Sequence, residues 1–141
     1  MVKAAVIKRK LIKLKQYLDE LGLLKDITYD EYKENFLVRR TVERLIQLTV
    51  DVATDINAHI LVDNNIPPPQ DAYSSFIQLA KHGAITPGLA GELAPATGER
   101  NVLVHEYELI NDLIVHQSIP IAIKLFYKYY SQIDRYLNSL K

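Results

Sequence analysis

The 141-residue sequence contains no cysteine, which excludes structural disulfides and cysteine–zinc sites. It has no excess of either charge, because 17 Lys and Arg balance 17 Asp and Glu. The molecule as a whole is not polycationic, so any contact with nucleic acid must use a local patch. No apolar run approaches the roughly 18 residues of a membrane span. The start, MVKAAVIKRK, carries charge with no long apolar stretch behind it, unlike a secretory signal. The expectation is a cytoplasmic chain with no membrane contact. An alternating strand pattern of useful length, an internal repeat and a low-complexity tract are also missing.

What is present is the balance of an ordinary globular protein, 48% hydrophobic and 24% charged. That length suits one domain over residues 1–141, with a core that needs neither disulfides nor metals.

The pattern is helical throughout. Over residues 2–24, Ile7, Leu11, Leu14, Leu18 and Leu21 recur at alternating steps of four and three. This is one face of an amphipathic helix, and Gly22 sits where C-terminal glycine is common. The opposite face carries Lys3, Lys8, Arg9, Lys10, Lys13 and Lys15. Such a face is either merely solvated or part of an RNA-facing surface. Thr28 followed by Glu31 is a capping-box pattern, and it opens a long helix predicted to run to about residue 63. Its seam is Val38, Val42, Leu45, Thr49, Val52 and Ile56, with heptad-like spacing. Arg39, Arg40 and Arg44 cluster on its first half, where Glu43 is a nearby acid, and His59 falls near the apolar seam.

Pro67, Pro68 and Pro69 make residues 63–70 a stiff linker. A short helix is expected over residues 71–82, with Tyr73, Phe76, Ile77 and Ala80 inward and Gly83 ending it. Thr86–Pro87 reads as an N-cap followed by proline at the first helical position, and Pro95 and Gly98 should kink or break the helix that follows. A last helix is expected from about residue 118 to 139, its apolar side paved by Ile121, Leu125, Tyr129, Ile133, Tyr136 and Leu140. The total is about five helices.

One stretch stands apart chemically. GERNVLVHEY, residues 98–107, sets Arg100, Asn101, His105 and Tyr107 around Val102, Leu103 and Val104. On a continuous helix, Asn101 and His105 share a face one turn apart. Arg100 and Tyr107 lie nearly in line two turns apart, and Glu108 is placed to orient the His105 imidazole. These residue types suit phosphodiester chemistry on RNA. Histidine exchanges protons near neutral pH, arginine neutralises a phosphate bidentately, asparagine assists by hydrogen bonding, and tyrosine stacks on a base. The four histidines show no metal-ligand spacing with carboxylates, so neither a metal nor a cofactor is expected.

Arg100-Asn101-Val102-Leu103-Val104-His105-Glu106-Tyr107 resembles the R-x4-H-x-Y signature of HepT-type ribonuclease toxins, which belong to the HEPN superfamily. The likeness extends to RRTVERLIQLTVDVATDINAHIL, similar to the long second helix of that family, and to PPPQDAYSSFIQLAKHGAITPGLAGEL, similar to its linker, short helix and turn. Glu99 departs from the pattern, standing where an aromatic is expected. The resemblance implies an all-α, five-helix HEPN-type bundle with one long second helix. It implies a homodimer whose two motifs build one cleft. Arg100 and His105 would be the catalytic pair of a metal-independent ribonuclease, with Asn101 in support. The partner would be an MntA-type nucleotidyltransferase antitoxin that transfers AMP to Tyr107. A reading from another class is a non-catalytic docking subunit for a nucleotidyltransferase.

Overall fold

The computed structural model describes residues 4–140. The expected start of the first helix at Val2, and Lys3 on its cationic face, lie outside the described residues. Seven α-helices follow in order: α1 (Ala4–Gly22), α2 (Tyr29–Glu34), α3 (Phe36–Asp63), α4 (Ala72–His82), α5 (Pro87–Leu93), α6 (Ala96–His105) and α7 (Asp112–Ser139), with a 3-10 turn at Tyr107–Leu109 between the last two. No strand occurs among the described residues.

Two boundaries differ from the periodicity, each for a local reason. The long helix expected from Thr28 is split. Thr28 and Glu31 form the capping box of α2, but Asn35 is extended and its side chain accepts from the Leu37 and Val38 amides, starting α3 afresh. The helix that begins at Thr86–Pro87 ends at Leu93 and α6 begins at Ala96, the break expected at Pro95, whereas Gly98 lies inside α6. The last helix starts at Asp112 and not near Ser118, because Asn111 caps the Leu113 and Ile114 amides. It continues through Pro120 although proline supplies no helix N–H. Gly83 ends α4 as expected, at φ 93°, a left-handed conformation that glycine adopts without a Cβ penalty.

The predicted stripe of α1 is buried at every position: Ile7, Leu11, Leu14, Leu18 and Leu21. It packs along α3 and α7. Helix α3 touches α1, α2, α4, α6 and α7 and is the spine. It is long and apolar enough, by length and composition alone, to cross a membrane. Here that apolarity serves the core, where Val42, Leu45, Ile46, Val50, Ala53, Ile56, Ile60 and Leu61 are buried. Fully burying each large aliphatic contributes about 1.5–3 kcal/mol. Tyr73, Ile121 and Leu140 were expected inward but are exposed, whereas Phe76, Leu125, Tyr129 and Ile133 are buried. Arg40 pairs with Glu43 at 2.8 Å, as the local spacing suggested.

One polar network crosses the core. The Tyr129 hydroxyl lies 2.5 Å from Asn57 Oδ1 and 3.0 Å from the Ala53 carbonyl, and Asn57 Nδ2 donates to Ser75 Oγ at 3.0 Å. It ties α3 to α4 and α7 and satisfies groups that would be costly to bury alone. Tyr129→Phe leaves Asn57 Oδ1 without its hydroxyl donor. The variant should lose about 1–3 kcal/mol of stability in urea denaturation, and a loss below about 0.5 kcal/mol would show that the Asn57 oxygen finds another donor.

Candidate active site

Helix α6 carries the motif on a thin foundation. Thr97 is its one buried residue, and no side chain caps its N-terminus. Val102, Leu103 and Val104 are each half-buried. Ala96 and Leu103 are packed against the core, and the polar tie from this helix to the spine is made by Arg100. Its Nε donates to Asp51 Oδ1 at 2.6 Å and its Nη2 to Asp51 Oδ2 at 3.3 Å. This fork holds one edge of the guanidinium against α3, with the arginine side chain 25% exposed. The Nη1 corner is turned to Asn101 Oδ1 at 3.4 Å. A guanidinium clamped along Nε and Nη2 still offers N–H bonds from Nη1 to an incoming oxyanion.

His105 is the last residue of α6 and is exposed, as is Asn101 one turn before it. The other three histidines all face protein partners. His59 lies 3.6 Å from Asp55, His82 Nε2 3.0 Å from the Tyr136 hydroxyl, and His116 Nε2 2.7 Å from the Ile27 carbonyl. His105 has no hydrogen-bond partner among the described residues, so both its ring nitrogens face solvent or a ligand. Glu108 makes no bond to it, contrary to the orienting role suggested by spacing. His59 stands near the seam as its spacing placed it, half-buried and beside Asp55.

Tyr107 is not on the Arg100 stripe. The backbone leaves the helix at Glu106 (φ −131°, ψ 40°), and Tyr107 opens the 3-10 turn with 68% of its surface exposed. The turn reverses the chain toward α7, so helical phase stops at His105. The phenol is presented to solvent two residues beyond the histidine.

Sequence reasoning missed Asp51. It is one acid among many, and only its contact across α3 and α6 distinguishes it. It also missed the role of Glu99. That residue lines a cavity of about 300 Å³ with Ile46, Ile114, Ile121, Ala122 and Phe126. Burial pushes its carboxyl above the ordinary glutamate range, opposed by a hydrogen bond from Ser118. Ser118 Oγ lies 2.8 Å from Glu99 Oε1 and 2.7 Å from the Val115 carbonyl. An apolar wall now faces a carboxyl at the position where the signature's aromatic would pack. Exposed Leu109, Leu113, Ile114 and Ile121 continue the apolar surface along the turn and α7.

A family model described as ribonuclease HepT-like matches residues 7–133. The chain is 36% identical over 140 residues to the tRNA nuclease HepT of Aphanizomenon flos-aquae, covering 99% of this chain and 95% of that protein. It is 32% identical over 87 residues to the mRNA nuclease HepT of Shewanella oneidensis, covering 61% and 65% of the two chains. Among solved structures it resembles a tri-AMPylated Shewanella oneidensis HEPN toxin in complex with an MNT antitoxin. The TM-score is 0.84 at 24% identity, over 96% of this chain and 99% of that one. It also resembles YutE, a cytosolic protein of unknown function from Bacillus subtilis, with TM-score 0.83 at 16% identity, over 98% and 92% of the two chains. The chain belongs to the HepT-like ribonuclease family.

The raised Glu99 pKa has a definite sign. Between the unfolded value near 4.5 and the raised folded value, the folded state binds more protons than the unfolded state. Stability contributed by this group therefore falls as pH rises through that window. Glu99→Gln should stabilise the protein at pH 7 relative to the parent, with the gain shrinking toward pH 4. A gain that grows on acidification would contradict the assignment.

Proposed function

We propose that the protein is a metal-independent ribonuclease toxin of a toxin–antitoxin pair, with Arg100 and His105 as its catalytic residues, Asn101 in support and Tyr107 as its regulatory switch. The observation that carries the reading is the contrast among the four histidines. Three are engaged by the fold, and the one in the signature is exposed, unbonded, and five residues from a clamped arginine.

In the reaction, a ribose 2′-hydroxyl loses its proton to an imidazole as its oxygen attacks phosphorus. The bond from phosphorus to the 5′-oxygen breaks, and that oxygen takes a proton. The products are a 2′,3′-cyclic phosphate and a 5′-hydroxyl. One neutral imidazole cannot serve as base and acid in a single step. A homodimer solves this by bringing two copies of His105 to one cleft. The apolar surface of Leu109, Leu113, Ile114 and Ile121 supports such pairing. Arg100 neutralises the charge that grows on the phosphoryl oxygens through its unclamped N–H bonds. Asp51 is a positioning residue, fixing the guanidinium plane so that this stabilisation needs no reorganisation.

The partner is an MntA-type nucleotidyltransferase antitoxin, and both proteins would meet in the cytoplasm. In the silencing step the Tyr107 hydroxyl loses its proton and its oxygen attacks the α-phosphorus of ATP. Pyrophosphate leaves, and an AMP ester stays on the phenol. The bulk and negative charge then stand beside His105 and exclude RNA by repulsion. Exposure of the ring suits it to enter another enzyme's active site.

Cleavage should persist in EDTA and leave 2′,3′-cyclic phosphate ends. Arg100→Ala and His105→Ala should each abolish it, and Asp51→Asn should slow it by about 10²-fold if the guanidinium loses its setting. Parent-like cleavage by both alanine variants would overturn the site. An inactive parent that still binds the nucleotidyltransferase would favour the docking-subunit reading.

Tyr107→Phe should keep most of its activity yet escape silencing by the antitoxin with ATP. Intact mass spectrometry should find AMP-sized additions on the parent and none on the variant. Additions that persist on the variant would move the switch to another tyrosine.

A further inference from the structure

The polar face of α3 extends the site toward α1. Asp51 and Asp55 are four residues apart, one turn or about 6 Å along the axis. Asp51 receives Arg100, and Asp55 receives Lys10 Nζ at 2.5 Å. His59 stands one turn further, 3.6 Å from Asp55. Arg100 and Lys10 are thus held on successive turns of one helix, although they are ninety positions apart in the chain. Beyond Lys10 a groove of about 250 Å³ runs between α1 and α3, lined by Val6, Arg9, Lys10, Lys13, Tyr17 and Val52.

Two of the three cations in this groove are not neutralised locally. Lys13 Nζ reaches only the Gln16 amide oxygen, at 3.4 Å. Neither Arg9 nor Lys13 has an acidic partner among the described residues. By contrast, Lys15 on the same helix pairs with Asp19 at 2.9 Å. From Arg100 to Lys13 the surface offers four cations against the two carboxylates that hold two of them. In a chain of zero net charge, this is a local positive field that leads to the motif helix.

We propose that the α1–α3 groove is an RNA-binding track, in which Arg9, Lys10 and Lys13 hold phosphates of the strand on one side of the bond presented to Arg100 and His105. The proposal rests on the ribonuclease reading and names where its substrate lies. Two observations favour RNA over an acidic protein surface. The groove joins the motif through the Asp51–Asp55 ladder, and Arg9, Lys10 and Lys13 share one side of α1, an arrangement that follows a phosphate backbone, with half-buried Tyr17 at its edge. The carboxylates do not bar phosphate from the track, because each is already bound to a cation.

The test uses the full chain in a His105→Ala background, so that binding is read without cleavage. Arg9→Gln combined with Lys13→Gln is compared with Lys81→Gln, an exposed lysine on α4, using a single-stranded RNA of about 20 nucleotides at several salt concentrations. Losing two phosphate contacts should flatten the slope of log affinity against log salt by about 1.4, with affinity at low salt falling about tenfold or more. Lys81→Gln should match its background in both. Circular dichroism and the melting temperature check that the double variant is folded, and Arg9→Glu with Lys13→Glu should deepen the loss. Unchanged slope and affinity in the double variant overturn the track, whether or not the parent cuts RNA. If the double variant instead keeps RNA binding and loses affinity for the nucleotidyltransferase, the groove is a protein interface and the proposal is wrong. A parent that neither cuts nor binds RNA overturns the ribonuclease reading together with the track.

Discussion

The bidentate pair between Arg100 and Asp51 is the contact on which the candidate site depends. Helix α6 fully buries only Thr97, with Ala96 and Leu103 packed against the core, and its start lacks a side-chain cap. The spine helix supplies the anchor. Its apolar face is committed to α1, α4 and α7, so its backbone is set by the core. A carboxylate on the remaining face then locates the arginine, and the arginine locates the helix that ends in His105. An ion pair this exposed adds little to global stability. Its consequence is geometric: it selects which edge of the guanidinium is used by the fold and which is left for a ligand.

Much of this architecture was legible in the sequence, for identifiable reasons. The α1 stripe obeys strict three–four spacing, and every predicted position is buried. Thr28, Gly83 and Thr86 act at helix ends through short-range hydrogen bonding that depends on residues in the same turn. The breaks at Asn35 and Asn111 were harder to read. Asparagine is tolerated inside helices as well as at their starts, and the apolar pattern runs on past both. Tyr73 and Ile121 fit helical periodicity and still face outward, because period alone does not say which stripe a neighbouring helix covers. The signature residues were legible as a set through their resemblance to a family. Asp51 was not, because its role exists only across two helices 49 residues apart.

The placement of Tyr107 alters the physical picture of regulation. On an uninterrupted helix the phenol would have stood over the arginine. The 3-10 turn instead swings it outward, two residues beyond His105. In the proposed silencing step, an added nucleotide would obstruct the histidine and the mouth of the cleft first, and its phosphate would repel a strand arriving along any cationic approach. In the proposed scheme, exposure admits a modifying enzyme to the phenol. Glu99 is the departure from the family pattern, and its carboxyl, held above its ordinary pKa, lines an apolar cavity next to the same helix.

The central claim is that this surface cleaves RNA by attack of the substrate's own 2′-hydroxyl, with Arg100 and His105 managing charge and protons. It is tested most directly by a substrate with a single 2′-deoxy nucleotide at the mapped cleavage position. The account predicts that cleavage at that position disappears while binding of the modified strand remains. Continued cleavage there at the rate of the all-ribose strand would contradict it.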